Sequence, residues 1–236
     1  MLKEIKAEHL LFIDIETVPA YPSYGEMPEN FQRLWDQKAE RLKNTETETP
    51  DQLYNKAGIY AEFGKIVCIS AGYFYNQEFR LKSFYADEEK LLLTEFNELL
   101  KSHFNSRQHL LCAHNGKEFD YPYIARRMLI NGIRLPNILN IAGKKPWNIP
   151  HLDTMELWKF GDYKHYTSLV LLASVFGIET PKDDIDGSDI AGVYWEDHDL
   201  ERIARYCQKD VVTVAQLFLK YQALPLLKPE QVEIIH

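Results

Sequence analysis

The fold is decided by one stretch of sequence, Leu10-Leu11-Phe12-Ile13-Asp14-Ile15-Glu16-Thr17. Four consecutive apolar residues followed by Ile15 predict a buried strand, with Asp14 and Glu16 at its end. Because side chains alternate between the two faces of a strand, these two carboxylates share one face. Paired like charges are costly at a buried position unless a positive group balances them. The stretch therefore leaves two interpretations, a divalent cation site or a strand end whose acids face solvent.

The composition is that of an ordinary globular protein with an acidic balance. The chain has 236 residues, of which 45% are hydrophobic and 26% charged, and its formal net charge is -8. This length is near the upper size for one domain. The negative charge argues against a protein that coats nucleic acid, since such binding depends on Lys and Arg. It leaves open an enzyme that meets phosphates through bound metal ions.

The termini and the cysteines predict a cytoplasmic protein. Three cysteines, Cys68, Cys112 and Cys207, lie in apolar contexts without paired spacing. This pattern indicates reduced thiols and not a disulfide framework or a zinc site. Four charged residues among the first eight interrupt any signal peptide. No stretch approaches the ~20 apolar residues that a membrane span needs, so we expect no membrane partner.

Apolar periodicity predicts strands alternating with helices. Helical spacing from Phe31 to Leu42 and a second short helix over Asp51 to Glu62 predict an insertion at about 18–63. The later elements are predicted in this order: a hairpin of strands 65–75 and 78–85, a helix from 87, a strand at 108–113, and helices at 120–132, 169–176 and 199–221. Asp197 is expected to cap the last helix. Residues 140–164 are expected to be rich in loops, with Asp153 making local hydrogen bonds.

Two further carboxylates accompany aromatic residues on helices. Asp120 follows an Asn115-Gly116 turn and precedes Pro122, which suits a first helical turn. Asp120 is therefore either a helix cap or a functional group just past a strand end. Tyr206 and Asp210 are four residues apart, so they stack on one helix face. They fall at the edge of an apolar stripe formed by Leu200, Ile203, Cys207, Val211, Val214 and Phe218. The alternative is an amphipathic helix with a boundary Tyr and a solvated Asp.

Two other segments carry weaker signals. The basic pair and Trp of Lys144-Lys145-Pro146-Trp147 could meet a phosphate and stack on a base, but a solvated loop is the favoured interpretation. The Asp-rich segment 181–189 is similar to a calcium loop. Aligning Gly187 with the glycine of that motif puts Lys182 at the first ligand position, which excludes the motif.

Taken together, the three carboxylate motifs resemble those of a known superfamily. Asp14-x-Glu16, Asn115-x-x-x-Phe119-Asp120 and Tyr206-x-x-x-Asp210 match, in order and context, the motifs of the DEDD (DnaQ-like) 3′→5′ exonucleases. A Tyr in place of His resembles the DEDDy branch, which includes the proofreading domains of family B DNA polymerases. The chain is most similar to stand-alone bacterial exonucleases related to that polymerase domain. Segments 151–162 and 180–188 add to the likeness, which extends from Leu10 to Leu219.

The resemblance implies an α/β fold of the ribonuclease H-like type, with a mixed central sheet flanked by helices on both faces. It implies one exonuclease domain over residues 1–236. It also implies two Mg²⁺ or Mn²⁺ ions bound by Asp14, Glu16, Asp120 and Asp210, whose hard oxygens suit these metals. Tyr206 would orient the attacking water. Three residues, Thr17, Asn115 and Phe119, would contact the substrate, although a core role for Phe119 is equally open.

The sequence thus predicts a metal-dependent 3′→5′ exonuclease that degrades single-stranded DNA to nucleoside 5′-monophosphates. One alternative is an exoribonuclease of the same fold, since a contact to a 2′-hydroxyl cannot be read from the sequence. Another is an inactive nucleic-acid-binding module, which the presence of all four carboxylates and Tyr206 disfavours. A third is a scaffold subunit that tethers partners through the insertion. The predicted partner is single-stranded nucleic acid, with DNA favoured over RNA.

Overall fold

The computed structural model describes residues 5–162, 166–179 and 185–235. Its strands are β1 (Leu10–Pro19), β2 (Gly64–Tyr75), β3 (Glu78–Tyr85), β4 (Leu110–Ala113), β5 (Leu152–Asp153) and β6 (Val232–Ile234). They form one six-stranded sheet in the order β5-β4-β1-β2-β3-β6. The pairs β1–β2 and β2–β3 are antiparallel, whereas β4, β5 and β6 each run parallel to their inner neighbour. The sheet is therefore mixed, as predicted.

Helices cover both faces of the sheet. They are α1 (Glu29–Ala39), α2 (Glu89–His103), α3 (Asp120–Ile130), α4 (Thr154–Lys159), α5 (Leu169–Val175), α6 (Ile190–Trp195) and α7 (Leu200–Tyr221). Alternation along β1 divides the core between the two faces. Leu11, Ile13 and Ile15 pack with residues of α2 and α3, whereas Leu10 and Phe12 pack with residues of α7. Even-numbered positions of β1 therefore face α7.

The observed elements confirm much of the predicted order and correct it at several points. The hairpin, α1, α3, α5 and the long last helix are present. The second helix predicted at 51–62 is instead a short 3₁₀ helix, Tyr54–Ile59. Within 140–164, predicted to be rich in loops, β5 and α4 form, and α6 was not predicted at all. The cap of α7 is not Asp197 but Asp199, whose side chain accepts from the Arg202 N–H. Residues 180–184 of the Asp-rich segment lie outside the described part of the chain.

The segment between β1 and β2 has a small core of its own. Trp35 of α1 is fully buried against Tyr54, and its indole N–H donates to the Pro50 carbonyl at 2.8 Å. The two ends of the segment are joined to each other beside the sheet, since the Ala20 N–H donates to the Phe63 carbonyl at 2.9 Å. It therefore begins where β1 leaves the sheet and returns directly into β2.

Two smaller predictions are also addressed by the structure. All three cysteines are buried and have free thiols. Among the described residues, no helix has the length and apolar character needed to cross a membrane.

Candidate active site

Asp14 and Glu16 project from β1 toward α7. Oxygens of both carboxylates and the Cys207 sulfur lie within 4.8 Å of one another. The strand does not end at these residues, as the sequence suggested, but continues to Pro19 with an irregularity in its pairing to β2 between Glu16 and Thr17. The shared face was thus predicted correctly, and the position at a strand end was wrong.

Asp120 reaches the same place from the opposite side of the sheet. Because β4 ends at Ala113, its pairing with β1 stops at Phe12, and the next part of β1 has no strand on that side. There the Asp120 carboxylate accepts a hydrogen bond from the Ile15 N–H. Asp120 is the first residue of α3, and the N-cap position is occupied by Phe119. The cap interpretation is therefore wrong, and the carboxylate is turned toward the carboxylate pair on β1.

Helix α7 supplies the remaining groups. The Cys207 thiol lies 3.3 Å from Asp14 Oδ2 and 3.4 Å from the Asp14 carbonyl oxygen. Asp210 follows by three residues, so it lies on nearly the same face of the helix. Its charge acts on Asp14, Glu16 and Asp120 alike. Tyr206, one turn before Asp210, is half-buried and packs against the cluster that contains Cys207 and Ile203.

Burial and mutual repulsion raise the pKa values of these acids. Burial is the largest cause in each case. The pKa of Asp14 is well above its usual range, and the neighbouring charge of Glu16 raises it further. The pKa of Glu16 is also well above its usual range, with the charge of Asp210 as the next cause. For Asp120, burial raises the pKa to about 8 against the opposing backbone hydrogen bonds. The protein itself therefore balances little of this negative charge.

The donor set fits divalent cations. Asp120 is 3% exposed, and its Oδ1 is buried without a hydrogen-bond partner. A buried carboxylate oxygen normally has a partner, so this one is available to a ligand. Carboxylate oxygens contributed by β1, α3 and α7 match the preference of Mg²⁺ and Mn²⁺ for hard ligands. We therefore find that Asp14, Glu16, Asp120 and Asp210 could together hold such ions.

The three residues predicted to contact substrate have different surroundings. Asn115 has a positive φ of 63°, and its buried Oδ1 has no hydrogen-bond partner. The Phe119 ring packs on Tyr123 with centroids 5.3 Å apart. The Thr17 hydroxyl also binds the Tyr123 hydroxyl, which in turn donates to the Gly58 carbonyl at 2.6 Å. Thr17 and Phe119 thus have structural contacts, and their role toward a substrate stays a prediction.

Two residues at the site were not singled out from the sequence. Cys207 appeared only as a member of the apolar stripe, although its spacing of three from Asp210 could have indicated the shared face. Asp153 was expected to make local hydrogen bonds, and it does accept from the Met155 and Glu156 N–H groups. It also accepts from the N–H groups of Asn115 and Lys117, which no local pattern could indicate.

Comparisons with known proteins identify the family of the chain. Residues 59–229, more than half of the chain, match a family described as "Predicted 3'-5' exonuclease related to the exonuclease domain of PolB". The matched region contains Asp120, Tyr206 and Asp210 but not Asp14 or Glu16. A search of curated proteins gave no significant match.

A solved structure with a similar fold is the family B DNA polymerase from the hyperthermophilic archaeon Pyrobaculum calidifontis. The TM-score is 0.54 at 16% sequence identity, and the match covers 90% of this chain and 24% of that polymerase. At this identity the likeness concerns the fold alone, and the chain spans about a quarter of the polymerase's length. The mixed sheet with helices on both faces is thus the ribonuclease H-like fold of a family B polymerase exonuclease domain. The chain belongs to the family of predicted 3′–5′ exonucleases related to the exonuclease domain of PolB.

Proposed function

We propose that this protein hydrolyses the terminal phosphodiester bond at the 3′ end of single-stranded DNA and releases nucleoside 5′-monophosphates. The observation that carries the proposal is the convergence of Asp14, Glu16 and Asp120, with the charge of Asp210 acting on all three. Nucleases that use two divalent cations need a ligand set of this kind.

The four carboxylates would hold two Mg²⁺ or Mn²⁺ ions. Bound ions of this type stabilise negative charge on the attacking and leaving oxygens of a phosphate and lower the pKa of a water molecule. The protein would hold these ligands in fixed positions, because Asp14 and Glu16 lie on a central strand and Asp120 lies in the first turn of α3. Positions on regular elements keep catalytic geometry better than positions on loops.

Tyr206 is assigned to the attacking water. A tyrosine hydroxyl ordinarily keeps its proton at neutral pH, so orienting the water is the role that fits its chemistry better than deprotonating it. Glu16 is assigned a second role, accepting a hydrogen bond from the terminal 3′-hydroxyl. That contact would restrict the reaction to chain ends.

Single-stranded DNA is the proposed substrate for two reasons. A net charge of -8 disfavours an extended grip on a duplex, whereas a single terminal nucleotide needs few contacts. The Asn115 Oδ1, buried and without a partner, can accept a hydrogen bond from that nucleotide. The alternative, an exoribonuclease with the same chemistry, differs only in its recognition of the sugar.

The test is cleavage of matched oligonucleotides labelled at the 5′ end. We expect stepwise shortening of linear single-stranded DNA in Mg²⁺ or Mn²⁺, none in EDTA, and no cleavage of a circular single strand. The Asp14→Asn variant serves as the inactive control. Faster degradation of RNA of the same sequence would favour the exoribonuclease. Cleavage of the circle, or full activity in EDTA, would refute the proposed function.

We also propose that residues 18–63 are an insertion into a single exonuclease domain. The small core around Trp35 and Tyr54 supports this, because it is separate from the clusters on the two faces of the sheet. A cytoplasmic location stays a prediction.

A further inference from the structure

The backbone of the turn that precedes Asp120 is bound by Asp153, a side chain of the neighbouring strand. Residues 114–119 connect β4 to α3. Within this turn, the Asn115 carbonyl accepts from the N–H groups of Glu118 and Phe119 at 3.2 and 3.0 Å. Two other N–H groups of the turn donate to the Asp153 carboxylate. The Asn115 N–H donates to Asp153 Oδ1 at 3.0 Å, and the Lys117 N–H donates to Asp153 Oδ2 at 3.1 Å.

Asp153 is placed for this contact by the sheet. It ends β5, where it pairs with Ala113, the last residue of β4. It is 3% exposed, and its two oxygens accept four backbone N–H groups. Two of these belong to α4, which Asp153 caps, and two belong to the turn, 36 and 38 residues away in sequence.

We propose that Asp153 is a positioning residue that holds the 114–119 turn, and through it the Asp120 carboxylate, in the geometry that binds metal. This inference rests on the proposed function, because it gives Asp153 a role at the same site. Asn115 is held at positive φ, a conformation that is uncommon for non-glycine residues but that Asn adopts more readily than most, and the Asp153 carboxylate binds the N–H groups of Asn115 and Lys117 in this conformation. Asp120 begins its helix only five residues later, and a shift of the turn would move its carboxylate.

A neighbouring contact strengthens the same junction. His114, the first residue of the turn, lies 2.9 Å by its Nδ1 from the hydroxyl of Thr154, the residue after Asp153. Its Nε2 donates to the Thr167 carbonyl at 2.8 Å. The turn is therefore attached to β5 and α4 by Asp153, by Thr154 and by an ion pair between Lys117 and Glu156, and Asp153 is the one that binds its backbone.

Capping α4 does not explain the whole arrangement. One side-chain oxygen is enough for a helix cap, and Ser caps about as well as Asp. Asp153 Oδ2 has a different partner, the Lys117 N–H, so the second oxygen serves the turn. A Ser at this position would keep a cap for α4 but could not bind both N–H groups of the turn.

This difference defines the variants. Asp153→Ser retains the cap of α4 but lacks the second oxygen, so it cannot accept hydrogen bonds from both N–H groups of the turn. Asp153→Asn retains an oxygen for Asn115, Met155 and Glu156 and places an amide N–H against the Lys117 N–H. Ser168→Ala is the matched control, since the Ser168 side chain caps another short helix, α5, through the Leu171 N–H.

The experiment measures Mn²⁺ binding by calorimetry and hydrogen exchange of the peptide 114–120 in metal-free buffer. Loss of a partner that orients a metal ligand typically costs about 10–100-fold in affinity. We expect a loss of that size for Asp153→Ser, a smaller one for Asp153→Asn, and none for Ser168→Ala. Exchange in 114–120 should accelerate in the same order. Single-turnover cleavage should fall with Asp153→Ser and recover in part when Mn²⁺ is raised.

The outcomes separate this inference from the proposed function. Unchanged Mn²⁺ affinity in a folded Asp153→Ser protein would overturn the positioning role, as would unchanged exchange in 114–120. A parent protein that binds Mn²⁺ but cleaves neither DNA nor RNA would refute the proposed function, while the ranking of Mn²⁺ affinities would still decide the role of Asp153. A parent protein that does not bind Mn²⁺ would overturn both.

Discussion

Replacing Asp120 with Asn should stabilise the metal-free protein while abolishing its function. Asp120 is 3% exposed, and its ionised form is opposed by burial and by the charges of Asp153 and Asp210. An Asn side chain has the same shape, keeps an oxygen for the Ile15 N–H and carries no charge. Its amide Nδ2 would occupy the place of the buried Oδ1 that has no hydrogen-bond partner. The variant should therefore relieve a cost that the parent bears whenever no cation is bound.

The size of the expected stability difference follows from the pKa of Asp120. Folding raises the pKa of Asp120 from about 3.9, the usual value for Asp, to about 8. The parent therefore loses stability as pH rises from about 3.9 toward 8, because the unfolded state releases a proton that the folded state keeps. At about 1.36 kcal/mol per pKa unit, the loss is on the order of 1.5 kcal/mol at pH 5 and 4 kcal/mol at pH 7. Asp120→Asn avoids this loss, so its advantage should increase with pH.

Urea unfolding in EDTA at pH 5 and pH 7 measures this difference. Asp120→Asn should exceed the parent in free energy of unfolding at both pH values, with an advantage about 2–3 kcal/mol larger at pH 7. Asp51→Asn, a change at an exposed position, is the control and should alter the free energy by less than about 0.5 kcal/mol. Saturating Mn²⁺ should stabilise the parent by mass action and leave Asp120→Asn nearly unchanged.

Two results would refute this reasoning. If Asp120→Asn were no more stable than the parent at pH 7 in EDTA, burial and neighbouring charges would not oppose the ionised form of Asp120. If its advantage were the same at pH 5 and pH 7, the gain would come from packing or hydrogen bonding and not from the charge of Asp120.

Three further predictions concern other parts of the chain. Tyr206→Phe should slow single-turnover cleavage by about 10²–10⁴-fold with unchanged Mn²⁺ affinity. Asp210→Ala should instead abolish cleavage and weaken Mn²⁺ binding. Equal cleavage rates for Tyr206→Phe and the parent would contradict the assignment of Tyr206 to the attacking water. Gly116→Ala should lower the melting temperature, because a Cβ there would lie 2.5 Å from that of Ala113, whereas the control Gly187→Ala meets nothing within 4 Å. Burial lowers the pKa of His151 to about 4, so the unfolded state takes up its proton first as pH falls below about 6.5. His151 alone should therefore cost about 2 kcal/mol of stability between pH 7 and pH 5, opposite in sign to the contribution of Asp120, and urea unfolding should show His151→Gln gaining about that amount relative to the parent over this range.

Side-chain alternation along β1 and the apolar stripe of α7 made half of the candidate site predictable. Period-two alternation placed Asp14 and Glu16 on one face without any knowledge of the partner strands. Helical spacing placed Tyr206 and Asp210 together in the same way. Both rules are local, since each depends only on residues within one element.

The remaining half depends on contacts between distant segments. Asp120 is close to β1 because β4 is short and leaves the Ile15 N–H unpaired by a strand, and no local pattern states how long a neighbouring strand is. Strand β5 has two residues and α4 has six, which is too short for periodicity to be detected. The contacts of Asp153 with the 114–119 turn connect these two features, so the sequence alone could not indicate them.

The short length of β4 also explains why we expect the metal-free site to be destabilising. A β4 long enough to pair with Ile15 would take the hydrogen bond that now orients Asp120, and the carboxylate would lose its place beside Asp14 and Glu16. Stopping β4 at Ala113 opens the sheet for one side chain and leaves a turn that must be held from β5. Three elements then converge with acids whose pKa values are raised by burial first and by one another's charges second. We therefore expect stability to be lost at the place where affinity for a cation is gained, because both effects follow from the burial of like charges around a space that a positive ion can fill.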